Sequence, residues 1–150
     1  LDSGSPLPFE LKDAVIYYAG PTPARPALDL TTPGHDTVKI GACGPTTSSR
    51  MDAFAPRLYD LGIIATIGKG ERSPGVRDAV IRNKAAYFCA VGGAGALISR
   101  HITDAEEIAF PELGCESIKR LTVDKLPLTV ALDIFGGDIF REGRDKYRLG

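Results

Sequence analysis

Five apolar runs of six to eight residues most constrain what this chain can fold into. They are AVIYYAG (14–20), TVKIGAC (37–43), IIATIG (63–68), AAYFCAV (85–91) and LPLTVALD (126–133). Each is short, and each is followed within three residues by a glycine or proline. Helices with a buried stripe show apolar residues three or four apart, whereas strands covered on both faces are apolar almost throughout. These runs fit the second pattern. Between them lie stretches of helical spacing, and strands that alternate with helices make an α/β domain. A Gly-Gly turn after the last run adds an antiparallel return through DIF (138–140), so the expected sheet is mixed.

The first interval is loop-like. PTPARP is extended and poor in backbone donors because proline lacks the N–H, and DLTTPGHD reads as an exposed loop. The next interval, from Ser49, turns helical. Ser49 and Asp52 have the spacing of a capping box, and Met51, Phe54, Ala55, Leu58 and Leu61 follow at helical intervals up to the stop at Gly62. Pro56 conflicts with a single helix: it either kinks this one or begins a second. Ser73 followed by Pro74 opens another helix that runs to about Asn83. GGAG makes a tight turn, ALISRHI a short helix, AEEIAF a strand and PELGCESIKRL a helix broken near Gly114. The tail over 141–150 is charged and reads as solvated.

Composition excludes several classes of function. The chain has 150 residues, enough for one domain with a real core, with 43% hydrophobic and 25% charged residues. Eighteen basic residues against nineteen acidic ones give a net charge of -1, and no basic run occurs. A phosphate-backbone binder needs clustered Lys and Arg, so nucleic acid is not the expected partner. No apolar run approaches the length of about 20 residues that a membrane span requires. Cys43, Cys89 and Cys115 are an odd number at wide spacing, with no CxxC pair; they read as small reduced residues of a cytoplasmic protein.

Three glycine-rich turns can carry chemistry. In GPTTSSRMD, Thr46 and Thr47 supply hydroxyls just before a helix start, where exposed N–H groups favour an anion. Arg50 can clamp a carboxylate through two parallel hydrogen bonds. Simple capping with a surface arginine explains the same residues. In IGKGERSP, Lys69 stands between two glycines just after a strand, the end at which α/β sheets bind ligands. A solvated lysine is the competing explanation. It is no Walker A loop, since Gly70 follows Lys69 where Ser or Thr is needed. VGGAGALI evokes a dinucleotide fingerprint, but Ile98 occupies the third glycine position. His35 and His101 have no acidic partner at an orienting distance in sequence, and Cys43 beside the first motif is a weak candidate nucleophile.

Taken together, IYYAGPTPARP, GPTTSSRMD, IGKGERSP, YFCAVGGAGAL, FPELGCESIKRL and LPLTVALD stand in the order seen in the C-terminal, or β, part of class I fumarate hydratases, and the similar tartrate dehydratase β subunits. The resemblance runs from about Leu11 to Asp133. It implies a swivelling β/β/α fold and hydro-lyase chemistry on a small dicarboxylate, either hydration of fumarate to malate or dehydration of tartrate. It further implies a [4Fe–4S] cluster held by cysteines of an α subunit, whose open iron acts as Lewis acid on the departing hydroxyl. Substrate would lie between the two parts. The positions matching substrate contacts are Thr46, Arg50 and Lys69, with Thr47 beside them; Thr46 and Lys69 are the candidates for proton transfer. The family's upstream TARD…AH-like segment, with its further arginine, has no match here, so the resemblance implies a start partway into the β part. The loop DLTTPGHDTVK looks longer than usual. Two other readings remain: a stand-alone dicarboxylate-binding module, and a nucleotide-binding domain using GGAG.

Overall fold

The computed structural model describes residues 6–23 and 40–149. In chain order the elements are β1 (Val15–Tyr17), a 3-10 turn (Ser48–Met51), α1 (Ala55–Asp60), β2 (Ala65–Gly68), α2 (Pro74–Arg82), β3 (Ala86–Cys89), α3 (Gly95–Ile98) with a 3-10 extension (Ser99–His101), β4 (Ile102–Ala109), a second 3-10 segment (Pro111–Glu116), β5 (Ile118–Val123), β6 (Thr129–Leu132) and α4 (Ile139–Tyr147). They divide into two compact units with interleaved sequence. One comprises described residues within Leu1–Phe9, Ala19–Gly44 and Gly92–Pro127; the other comprises Glu10–Tyr18, Pro45–Val91 and described residues within Leu128–Gly150.

The second unit holds a four-stranded sheet in the order β1-β2-β3-β6. β1, β2 and β3 run parallel, and β6 joins β3 antiparallel, with a register shift between Tyr87 and Phe88. The mixed sheet and α/β content are those expected. β2 is buried at all four positions, which is why its sequence carries no polar alternation. Tyr59, Ile63, Val76, Ala79, Val80 and Tyr87 form the core beside it, each at most 1% exposed. Removing such side chains from water is the main force that holds the unit together. On its surface Asp60 accepts from Arg82 Nε (2.8 Å) and Nη2 (2.7 Å) and from Asn83 (2.7 Å), tying α1 to α2. These hydrogen bonds hold its carboxyl down at about 2.

The other unit is built on the antiparallel pair β4–β5, with cross-strand Glu106–Arg120 at 2.9 Å. Ile98, Ile102 and Ala105 are its buried apolar residues along this stretch.

Several expectations change. α1 starts at Ala55 with Pro56 in its first turn, so Pro56 begins a separate helix rather than kinking one. Ser73 and Pro74 do open α2, which closes at Asn83. The expected helix PELGCESIKRL is a 3-10 segment broken at Gly114 (φ 59°), followed by strand β5; pairing with β4 overrides the local helical pattern. The DIF return is a single bridge between Leu132 and Asp138, after which the charged tail is helical. Of the run TVKIGAC, residues 37–39 lie outside the described residues; Ile40 makes one bridge, to Pro23, and the rest is not strand. DLTTPGHD and His35 also lie outside them. Among the described residues no helix is long and apolar enough to cross a membrane.

Candidate functional site

β2 ends at Gly68, and the chain emerges from the sheet at Lys69, level with the ends of β1 and β3. The GPTT string pairs here by its backbone. Thr47 and Lys69 form a parallel bridge. The Lys69 N–H is shared between the Thr46 carbonyl (3.2 Å) and Ser48 Oγ (3.1 Å), and the Lys69 carbonyl accepts from the Ser48 N–H at 3.0 Å. Thr46 N–H in turn donates to the Tyr18 carbonyl at 2.8 Å. The structure therefore sets Thr46, Thr47 and Lys69 at adjoining positions.

Arg50 follows within the 3-10 turn Ser48–Met51. Thr46, Thr47 and Arg50 are exposed and Lys69 is half-buried. Among the described residues none of their side chains has a hydrogen-bond or ion-pair partner. Among the described residues these four polar side chains are thus uncommitted, with Lys69 just past the end of the parallel strand β2.

The expected cap differs. Ser49 starts no helix, the four-residue turn begins at Ser48 after Thr47, and no side chain caps it. Asp52 bonds elsewhere instead. A turn this short carries little of the dipole of a full helix, so any anion binding here rests on side-chain charge and local N–H groups.

Beneath the exposed residues lies a buried polar cluster that sequence reasoning missed. Ser48 is fully buried. Tyr87 Oη lies 2.8 Å from the Gly70 carbonyl and 3.0 Å from Ser48 Oγ. A phenol has one proton; given to the carbonyl, it leaves Ser48 to donate to Tyr87, and every group in that chain is satisfied. The Arg72 side chain is 0% exposed. Its Nε donates to Asp52 Oδ1 at 2.6 Å, its Nη1 to Thr66 Oγ1 at 3.1 Å, and its guanidinium lies 4.9 Å from the Tyr87 ring centre and 5.4 Å from that of Tyr18. Asp52 Oδ2 accepts from the Ser73 N–H at 2.6 Å.

Burial alone would make Arg72 less basic, but the Asp52 hydrogen bond and its tyrosine neighbours more than offset that. Burial also pushes the Tyr87 phenol up, beyond any physiological titration. Among the described residues Tyr18 Oη and Arg72 Nη2 are buried without a hydrogen-bond partner. The signal that could have exposed this cluster is the pair of tyrosines inside apolar runs, since buried phenols need polar company.

Gly68 shows how tightly the pieces fit. A Cβ there would overlap Ser48 Oγ and come within 3.2 Å of Tyr18 Cδ2. Gly68→Ala should therefore push Ser48 off the Lys69 N–H and cost about 1–3 kcal/mol of stability through overpacking. Urea denaturation reads the loss, and an unchanged midpoint would contradict this packing.

Cys43 is buried in the other unit, and desolvation raises its thiol to about 11. At neutral pH it is protonated and a poor nucleophile. His101 Nδ1 sits 3.0 Å from the backbone carbonyl of Asp124.

The model of the fumarase C-terminus family matches residues 1–143. The chain is 35% identical over 144 residues to the anaerobic class I fumarate hydratase of Escherichia coli K12, covering 95% of this chain and 24% of that protein. It is 34% identical over 142 residues to fumarate hydratase 2 of Leishmania major, covering 93% and 23%. Against the L(+)-tartrate dehydratase subunit beta of E. coli K12 it is 28% identical over 142 residues, covering 93% and 67%. It thus spans about a quarter of the length of these fumarate hydratases. With a match over nearly its whole length, the chain belongs to the fumarase C-terminus family.

Proposed function

We propose that this chain is the β component of a cytoplasmic dicarboxylate hydro-lyase, hydrating fumarate to malate or dehydrating tartrate. Its relatives carry those activities in their names. One observation supports the reading above the others. Thr47 pairs with Lys69, whose N–H donates to the Thr46 carbonyl, and Arg50 follows in the next turn, all with side chains uncommitted among the described residues.

In this reading Arg50 and Lys69 hold a substrate carboxylate. Dehydrating malate takes a proton from the carbon next to a carboxylate, and hydroxide leaves from the neighbouring carbon to give fumarate and water. As the C–H bond breaks, negative charge builds on that carboxylate. Two cations there bind the transition state more strongly than the ground state. Thr46 is the candidate for the proton; a hydroxyl is a weak base at its ordinary pKa, so Lys69 must assist it. Thr47 adds a hydrogen bond to substrate.

Among the described residues no three His, Cys, Asp or Glu side chains are grouped as metal ligands. These residues do not fit a [4Fe–4S] cluster, which in this reading belongs to the α subunit.

The test is to co-purify the complete enzyme with its iron–sulphur α part and assay fumarate, L-malate and tartrate. Turnover of one of them is expected, and an assembled, cluster-loaded enzyme inert on all three overturns the proposal. Calorimetry adds a second outcome: submillimolar malate binding by the protein without its partner would favour a stand-alone binding module.

A further inference from the structure

We infer that Asp52 and Arg72 form a positioning clamp that fixes Lys69 relative to Arg50; the inference rests on the hydro-lyase reading for its catalytic consequence. The turn that carries Arg50 and the loop that carries Lys69 are bonded at both ends. At one end Thr46 and Ser48 grip both sides of the Lys69 peptide. At the other, Asp52, two residues after Arg50, receives both Arg72 Nε and the Ser73 N–H at 2.6 Å. Tyr87 joins the ends: its ring packs on the Arg72 guanidinium, and its hydroxyl reaches Gly70 and Ser48.

Arg50 and Lys69 themselves have long side chains with no partner among the described residues. The placement of their charges therefore depends on how rigidly the two backbones are held. Arg72 is a third cation close in sequence, but its side chain is 0% exposed and its charge is matched by Asp52. It touches no substrate. Its effect on the reaction runs through Lys69.

Asp52→Asn is the informative variant. The carboxylate uses both oxygens, whereas an amide offers one, so either Arg72 or the Ser73 N–H would face an NH2 group. Two measurements on the complete enzyme test the inference. In the first, hydrogen exchange at the Lys69 and Ser48 amides should speed up by at least about 10-fold, with Phe88 in β3 unchanged.

In the second, kcat should fall on the order of 10- to 100-fold. In a Lys69→Ala background the same change should cost less than about 2-fold, because the effect passes through Lys69. A merely structural role would lower the folded fraction equally in both backgrounds. Should Asp52→Asn not fold, Arg72→Lys carries the same cycle, since it keeps the charge and loses the fork.

Unchanged Lys69 exchange, or equal losses in the two backgrounds, overturns the clamp. A parent enzyme inert on every dicarboxylate overturns the hydro-lyase reading instead, and the exchange measurement still decides the clamp.

Discussion

Arg50→Ala in the assembled enzyme should lower kcat/KM by about 10²–10³-fold, the cost of losing one preorganised contact to developing charge. The fold should hardly notice. Arg50 is exposed and has no side-chain partner among the described residues, so stability should stay within about 0.5 kcal/mol. That separation makes the variant useful: a large kinetic loss with an unchanged unfolding midpoint assigns Arg50 to the reaction. Arg50→Lys should recover only part of the rate, because an ammonium cannot bridge both carboxylate oxygens as a guanidinium does. Near-normal kinetics for Arg50→Ala would remove the residue from the site.

Arg72→Ala should bring the largest loss of stability, in addition to the kinetic loss that follows from releasing Lys69. The substitution leaves the Asp52 side chain, 13% exposed, without its cation and opens a space between Tyr18 and Tyr87. Breaking a buried pair from one side costs about 3–5 kcal/mol, since the remaining charge is neither solvated nor matched. Urea denaturation of Arg72→Ala and of the double variant Asp52→Ala/Arg72→Met should differ. The double variant removes both charges and refills some volume, so it should be the more stable of the two. A loss below about 1 kcal/mol for Arg72→Ala would mean that the pair is solvated rather than buried.

Much of the mixed sheet was legible as short apolar runs: the cores of four of the five became β1, β2, β3 and β6, although only β2 is buried at every position and β1 and β6 keep exposed residues. α2 was legible because Ser73 and Pro74 act locally on its first turn. What was hidden is what depends on partners far away in sequence. Asp52 looked like half of a capping box, yet its acceptors serve Arg72 and Ser73, about twenty residues on. The reciprocal pattern exists at the other end of the chain. Asp138 accepts from the N–H groups of Phe140 and Arg141, and Glu142 accepts from the Asp138 N–H. That local signal in DIFRE was readable, but the charge of the tail concealed it. β5 could not be read from its own residues, since IKRLTV becomes a strand by pairing with β4. At the site, residue types pointed to Thr46, Thr47, Arg50 and Lys69, whereas Ser48 and Arg72 show their roles only through burial.

The interleaving of the two units has a bearing on synthesis at the ribosome. β3 pairs with β2 through residues already made, but its other edge waits for Thr129–Leu132, after all of Gly92–Pro127. Until then a nascent sheet carries an open edge, which invites pairing with another chain. The residues of the candidate site and its buried support all fall between Tyr18 and Tyr87. The candidate site residues of this chain are therefore all translated before the strand that joins β3 on its other side.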